Sequence, residues 1–210
     1  MLIIGAKGFA KEVLEILHQN NQLENLVFYD DVNDDIGDLL YGKFPVIKNI
    51  VDAKRYFKEV DLKFTLGIGN PHLRKELCQK FSDIGGEFSS TISKNTDIGS
   101  FGITIETGCN ILSGVKISND VKIAKGALIY YNCIIAHDCT IGDFVEISPS
   151  CSLLGRCIIY DNAQIGSGSI ILPDVKIGSN VIIGAGSVVT KNLPDNVMAY
   201  GVPAKIIKSI

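Results

Sequence analysis

His137 is the residue in this sequence best suited to chemistry. It stands in the stretch Ile135-Ala136-His137-Asp138-Cys139-Thr140, beside a carboxylate, and Gly155 follows three six-residue periods later. An imidazole next to bare main chain suits acyl transfer, in which a base takes the acceptor's proton and an N–H meets the developing oxyanion. Glycine also lets a thioester approach closely. Asp138 is placed to orient the ring and support an imidazolium. One competing reading is an idle surface histidine. Another is a metal site, but zinc catalysis wants three imidazoles or similar ligands. The only other histidines, His18 and His72, lie in a different part of the chain, so the expected metal set is none.

His137 and Gly155 can meet only on a scaffold that stacks them, and the sequence specifies one. From Ile105 an Ile, Leu or Val recurs every sixth residue: Ile111, Ile117, Ile123, Ile129, Ile135, Ile141, Ile147, Leu153, Ile159, Ile165, Ile171, Ile177, Ile183 and Val189. Four residues after each comes a small or β-branched one, among them Cys109, Val115, Val121, Ala127, Cys133, Cys139 and Val145. A period of six is neither helical nor a simple alternation, so each hexad is a short strand plus a bend. Repeats of this kind mark a parallel β-helix. With three hexads per coil, the aliphatic and the small residue point inward and His137 points out. Pairs such as Ile141-Gly142 and Ile177-Gly178 fit the corners. Ile98-Gly99 lies one residue out of phase, which marks a ragged first coil.

Five of the six cysteines, Cys109, Cys133, Cys139, Cys151 and Cys157, fall in the small inward series and read as core filler. Cys133 should stack on Cys151, and Cys139 on Cys157, about 4.8 Å apart. That is within disulfide range, so a reducing compartment is what keeps them free. Cys78 falls in an expected helix.

Before the repeat the pattern alternates strand and helix: LIIG, a helix from Gly8 to Asn20, LVFYDD, a segment at Phe44–Ile47, FTLGIG, and a helix from Pro71 to Asp83. This predicts a Rossmann-like α/β domain with a parallel sheet over residues 1–85. Residues 86–190 form the β-helix, and 191–210 form a tail that caps its open end. Gly5-Ala6-Lys7-Gly8 links a strand to a helix N-terminus, a context that receives phosphates. Asp30 and Asp31 end the second strand, where an acid often takes a ribose hydroxyl. Gly69 and Asn70 end a further strand at the same edge. The alternative is ordinary turn glycines. So small a unit offers one mononucleotide-sized half, which suits a nucleotide carrying a sugar better than a dinucleotide.

Composition narrows the partners. The chain is 46% hydrophobic and 20% charged with a net charge of -3, which gives no reason to expect nucleic acid or an acidic membrane. No apolar run approaches the roughly 20 residues that span a bilayer, and the opening MLIIGAKGFA does not read as a signal peptide. A cytoplasmic location is expected.

With these residues in hand, the sequence resembles a family of bacterial sugar acyltransferases over nearly its whole length. The family includes sialic acid O-acetyltransferases and N-acetyltransferases of UDP-linked 4-amino-4,6-dideoxy sugars in bacillosamine-type pathways. The matching stretches are IIGAKGFAKEV, FYDD, LGIGNPHLRKEL, HDCTIGDFVEISPS and GAGSVVTKNLPDNVMAYGVPAK. The resemblance implies a homotrimer with acetyl-CoA in the groove between neighbouring solenoids. It implies His137 as general base, Asp138 as its partner, the Gly155 main chain at the acetyl carbonyl, and Ala185 and Lys191 along the coenzyme. It also implies that Gly5, Gly8, Asp30 and Asp31, with Lys7, Gly69 and Asn70, hold the acceptor's nucleotide. Two positions depart from the pattern. Glu146 stands where some members carry a second histidine near the acetyl group, and is expected to face the coenzyme or acceptor. Phe9 stands where a histidine is frequent.

The function expected is acetyl-CoA-dependent N-acetylation of a nucleotide-linked amino sugar by direct transfer. Cys139 and Cys157 point inward and are poorly placed as nucleophiles. Sugar O-acetylation uses the same residues and is the alternative enzyme. A non-catalytic trimeric assembly protein is the alternative from another class.

Overall fold

The computed structural model describes all residues from Met1 to Ile210. They form two units, Met1–Thr91 and Ile92–Ile210.

The first unit runs β1 (Leu2–Ile4), α1 (Gly8–Gln19), β2 (Val27–Tyr29), β3 (Leu39–Leu40), β4 (Phe44–Ile47), α2 (Ile50–Glu59), β5 (Lys63–Leu66), α3 (Pro71–Asp83) and β6 (Glu87–Phe88). The sheet order is β3-β4-β2-β1-β5-β6, parallel except for the β3–β4 hairpin. Central β1 is fully buried, as a strand covered on both faces must be. On one face Ala10, Val13, Leu14 and Leu17 of α1 pack on Ile3 and Phe28. On the other, Phe57 of α2 and Phe81 of α3 meet Phe64 of β5, with Phe64 stacked on Phe88 at 5.2 Å. Helix α2 is not among the elements expected from the sequence. Its signal is Asn49, whose side chain accepts from the Asp52 N–H as an N-cap, followed by buried Ala53, Tyr56 and Phe57 at helical spacing. Chain order reverses at β1, which has β2 on one side and β5 on the other. A crevice therefore opens at their carboxyl ends.

The second unit is a left-handed parallel β-helix with three faces. One sheet carries Asn110–Ile111, Leu128–Ile129, Glu146–Ile147, Gln164–Ile165 and Ile182–Ile183. A second carries Lys116–Ile117, Ile134–Ile135, Ser152–Leu153, Ile170–Ile171 and Val188–Val189, and a third Lys122–Ile123, Thr140–Ile141, Ile158–Ile159 and Lys176–Ile177. Ladder partners such as Ile134 and Ser152, or Thr140 and Ile158, stand one coil apart in an unbroken register. The inward aliphatics from Ile111 to Val189 are buried, as are the five repeat cysteines. Each buried aliphatic contributes about 1.5–3 kcal/mol.

The out-of-phase Ile98 has a simple cause. Ile98 pairs with Ile117 and Ile105 with Ile123, so the first coil carries one extra residue, in the turn around exposed Phe101. The tail is an antiparallel hairpin, Val197–Gly201 with Ala204–Ser209, and its first strand continues the first sheet beside Ile182–Ile183.

All six cysteines are free. The repeat thiols donate to carbonyls one coil on: Cys133 to Ser148 O at 3.1 Å, Cys151 to Gly166 O at 3.2 Å and Cys157 to Leu172 O at 3.1 Å. The hydrogen bond with its stacked partner, reinforced by burial, holds the thiols of Cys133 and Cys157 well above the ordinary cysteine range.

Candidate active site

His137 lies at the corner between strands Ile134–Ile135 and Thr140–Ile141, and the coils on either side hold its main chain. The Ala136 N–H donates to Leu153 O at 2.9 Å, the Asp138 N–H to Asn119 O at 3.2 Å, and His137 O accepts from the Arg156 N–H at 3.0 Å. The side chain is 55% exposed, with Nδ1 2.7 Å from Asp138 Oδ2. A carboxylate oxygen only accepts, so Nδ1 carries a proton, and in the neutral ring the lone pair is at Nε2. The imidazole lies flush against Gly155. A Cβ at position 155 would stand 2.6 Å from His137 Cε1 and 2.7 Å from Nε2, so the glycine is needed for the approach itself.

The same corner leaves main-chain donors open. At three matching hexad positions a side chain one coil on takes the N–H: Phe101 N–H donates to Asn119 Oδ1 at 3.2 Å, Asp143 N–H to Asp161 Oδ1 at 2.9 Å and Ser179 N–H to Asp195 Oδ1 at 2.8 Å. Gly155 stacks above His137 and Pro173 above Gly155. Neither glycine nor proline brings a side-chain acceptor, so no protein group takes the N–H of His137 or of Gly155. A donor left unpaired beside an exposed imidazole suits an incoming oxyanion.

One residue further on, Asp120, Asp138, Arg156 and Asp174 stack in successive coils with φ between 57° and 65°. Arg156 forks onto Asp174, Nε to Oδ1 at 2.6 Å and Nη2 to Oδ2 at 2.8 Å. The Asp174 carboxylate raises the Arg156 pKa above its ordinary value, with a smaller contribution from Asp138, and Arg156 in turn lowers that of Asp174.

The other expected coenzyme residues are spread along the solenoid. By register Lys191 continues the His137–Gly155–Pro173 column, two coils or about 10 Å beyond Gly155. Ala185 is exposed on a different corner, where its N–H would lie 2.6 Å from a Cβ at Gly166. Glu146 opens a strand of the first sheet, whereas His137 sits between the other two, so the two do not share a corner of one chain.

In the α/β unit, Ile4, Gly5, Tyr29, Asp30, Asp31, Asn33 and Ile68 line a largely apolar cavity of about 200 Å³ at the carboxyl edge of the sheet. Gly5 has φ +102° and its N–H donates to Tyr29 O at 2.7 Å, while a Cβ there would meet Ile68. Gly8 begins α1 with open space where a side chain would be. Lys7 pairs with Asp35 at 2.8 Å. Asp30 is buried and committed: Oδ2 accepts from the Ala6 N–H at 3.2 Å, and Oδ1 from the Asn33 N–H at 2.9 Å and the Val32 N–H at 3.3 Å. Asp31 accepts from Tyr29 Oη at 2.7 Å and from Lys80 at 3.4 Å. Burial pushes the Asp31 carboxyl up, but those two partners outweigh it and hold its pKa low. Gly69 O accepts from Arg74, and Asn70 Oδ1 caps α3 through the Leu73 N–H.

Two family models match the chain. Residues 1–81 match the PglD N-terminal domain, and residues 156–191 match the bacterial transferase hexapeptide of six repeats. No curated protein matches. Among solved structures, PerB from Caulobacter crescentus in complex with CoA and GDP-perosamine is 31% identical over 99% of this chain and 96% of its own, with a TM-score of 0.89. WeeI from Acinetobacter baumannii AYE is 31% identical over 98% of each chain, also at 0.89. The chain belongs to the hexapeptide-repeat acetyltransferases with a PglD-type N-terminal domain. The acetyltransferase domain of PglB from Neisseria gonorrhoeae FA1090 in complex with acetyl coenzyme A is 25% identical over 98% of each chain, with a TM-score of 0.75.

In this acetyltransferase, coil arithmetic brings His137, Asp138 and Gly155 together. The same arithmetic applied to Asp138 gives Arg156, a residue not among those expected at the site. Nothing in the sequence shows that Asp30, Asp31 and Asn70 are already bonded, because their partners come from the loops and helix that they hold. No three His, Cys, Asp or Glu side chains gather as metal ligands. No helix is long and apolar enough to cross a membrane.

Proposed function

We propose that the acetyltransferase moves the acetyl group of acetyl-CoA directly to the amino group of a nucleotide-linked 4-amino-4,6-dideoxy sugar, in surface polysaccharide or glycan synthesis. The observation that carries the proposal is the His137–Gly155 corner, where a free imidazole nitrogen and an unpaired main-chain N–H lie side by side. His137 Nε2 takes a proton from the amine as its nitrogen attacks the thioester carbon. The Gly155 N–H donates to the resulting oxyanion, the C–S bond breaks, and the proton passes from the imidazolium to the departing CoA thiolate. Asp138 holds the tautomer and supports the imidazolium. A placed general base is worth about 10²–10⁴ in rate, and one oxyanion donor about 10²–10³. PerB supports this choice of acceptor, since that enzyme is seen with CoA and GDP-perosamine together. Structures of the same perosamine N-acetyltransferase with one histidine replaced by asparagine or alanine, at TM-scores of 0.90, draw attention to a histidine there.

In this reading Lys191 and Ala185 lie along the coenzyme, and Gly5, Lys7, Gly8, Asp31, Gly69 and Asn70 surround the acceptor's nucleotide. Glu146, on another face from its own His137, serves a corner completed by a second copy in a homotrimer. Reaction in the cytoplasm follows from where acetyl-CoA and sugar nucleotides are made. The test is CoA release and product mass with a panel of UDP-, dTDP- and GDP-linked 4-amino-4,6-dideoxy sugars, with sialic acid and CMP-sialic acid as hydroxyl acceptors. An N-acetylated sugar nucleotide is expected. Turnover of the sialates alone would replace the reading with O-acetylation.

A further inference from the structure

Arg156 is the one cation in a corner column that also carries Asp120, Asp138 and Asp174. Its main-chain N–H donates to His137 O at 3.0 Å, and it directly follows the glycine that lies against the imidazole. The root of the side chain is thus fixed beside the reaction centre. The guanidinium forks onto Asp174, but that pair is 53% and 63% exposed. So exposed an ion pair contributes little to stability, and little is lost when another anion replaces the carboxylate. The planar fork matches phosphate oxygens as well as it matches carboxylate.

We propose that Arg156 binds the diphosphate of the acceptor, exchanging Asp174 for phosphate oxygens, and so selects nucleotide-linked over free amino sugars. This rests on the acceptor proposed above. With a 4-amino group at His137 Nε2, the anomeric phosphate lies one pyranose ring away, within reach of a long side chain rooted next to Gly155. The diphosphate of CoA is separated from the thioester by the whole pantetheine arm, which carries it beyond Arg156. Asp138 also faces the guanidinium but is engaged with His137, so Asp174 is the carboxylate that gives way.

Steady-state kinetics of R156Q, R156K and D174N, each varied in nucleotide sugar and in acetyl-CoA, test the assignment. R156Q is expected to raise KM for the nucleotide sugar about tenfold to a hundredfold and to leave KM for acetyl-CoA unchanged. R156K should fall between, since an ammonium keeps the charge without the fork. D174N frees the guanidinium and is expected to hold or lower the nucleotide-sugar KM. Inorganic diphosphate is expected to compete with the nucleotide sugar in the wild type and to lose that effect in R156Q. If R156Q and D174N raise KM alike, the pair is a structural bridge and the proposal is overturned. It is equally overturned if R156Q shifts only the acetyl-CoA KM, or neither KM. Wild-type silence toward every nucleotide-linked amino sugar would remove the underlying reading and this one with it. Wild-type turnover with an unshifted R156Q would remove Arg156 alone.

Discussion

The coil corner at His137 and the sheet edge at Gly5 use the same parts, a close-approach glycine and a carboxylate, to opposite ends. At the corner, Gly155 makes room for an imidazole, Asp138 faces that ring, and two main-chain N–H groups are left without protein acceptors. At the sheet edge, Gly5 makes room for Ile68, and Asp30 uses both oxygens to tie the β1 and β2 loops together. One region leaves its donors and its imidazole exposed, whereas the other ties its polar groups to one another beside a mostly apolar cavity. Under the proposed function the difference is a division of labour, with reaction at the corner and grip at the sheet edge.

The largest effect that would break this comparison comes from Gly155→Ala. The added Cβ would stand 2.6 Å from the imidazole, and displacing the ring and the N–H together is expected to lower kcat by at least the roughly 10²–10³ of a lost oxyanion donor. The unfolding midpoint should stay near that of the wild type, because the clash is with an exposed side chain. Unchanged kcat would mean that the corner is not the reaction site. A smaller effect of another kind is expected at Asp30. Asp30→Asn replaces one acceptor oxygen with a donor against buried N–H groups, and should destabilise the α/β unit by about 1–3 kcal/mol in denaturant unfolding. At saturating acceptor its kcat should hold. A fall in kcat without loss of stability would give Asp30 a direct part in the reaction.

The two regions also differ in how far the sequence discloses them. In the solenoid, position determines contact: adding one coil to His137 gives Gly155, and adding one to Asp138 gives Arg156. The inward cysteines, the corner glycines and the slipped Ile98 all follow from one period. Only the turn at Phe101, which absorbs the extra residue, needs the structure to explain it. In the α/β unit the period supplies strands and helices, and Phe44–Ile47 and Pro71–Asp83 match the expectation. Its polar contacts are tertiary. Asp30 meets Ala6 across the sheet, and Lys80 reaches Asp31 from a helix far along the chain. No spacing rule announces such pairs, so Asp30 reads from sequence as a ribose ligand although its oxygens already serve the loops. Helix α2 was open to discovery through Asn49 and the spacing of Ala53, Tyr56 and Phe57.

The most direct test of the central claim is the kinetics of His137→Ala under saturating acetyl-CoA and nucleotide-linked amino sugar, with Asp31→Ala measured beside it. The division of labour predicts that His137→Ala lowers kcat by about 10²–10⁴ with both KM values held, and that Asp31→Ala acts on the KM of the nucleotide sugar. A His137→Ala enzyme that keeps wild-type kcat would contradict the account.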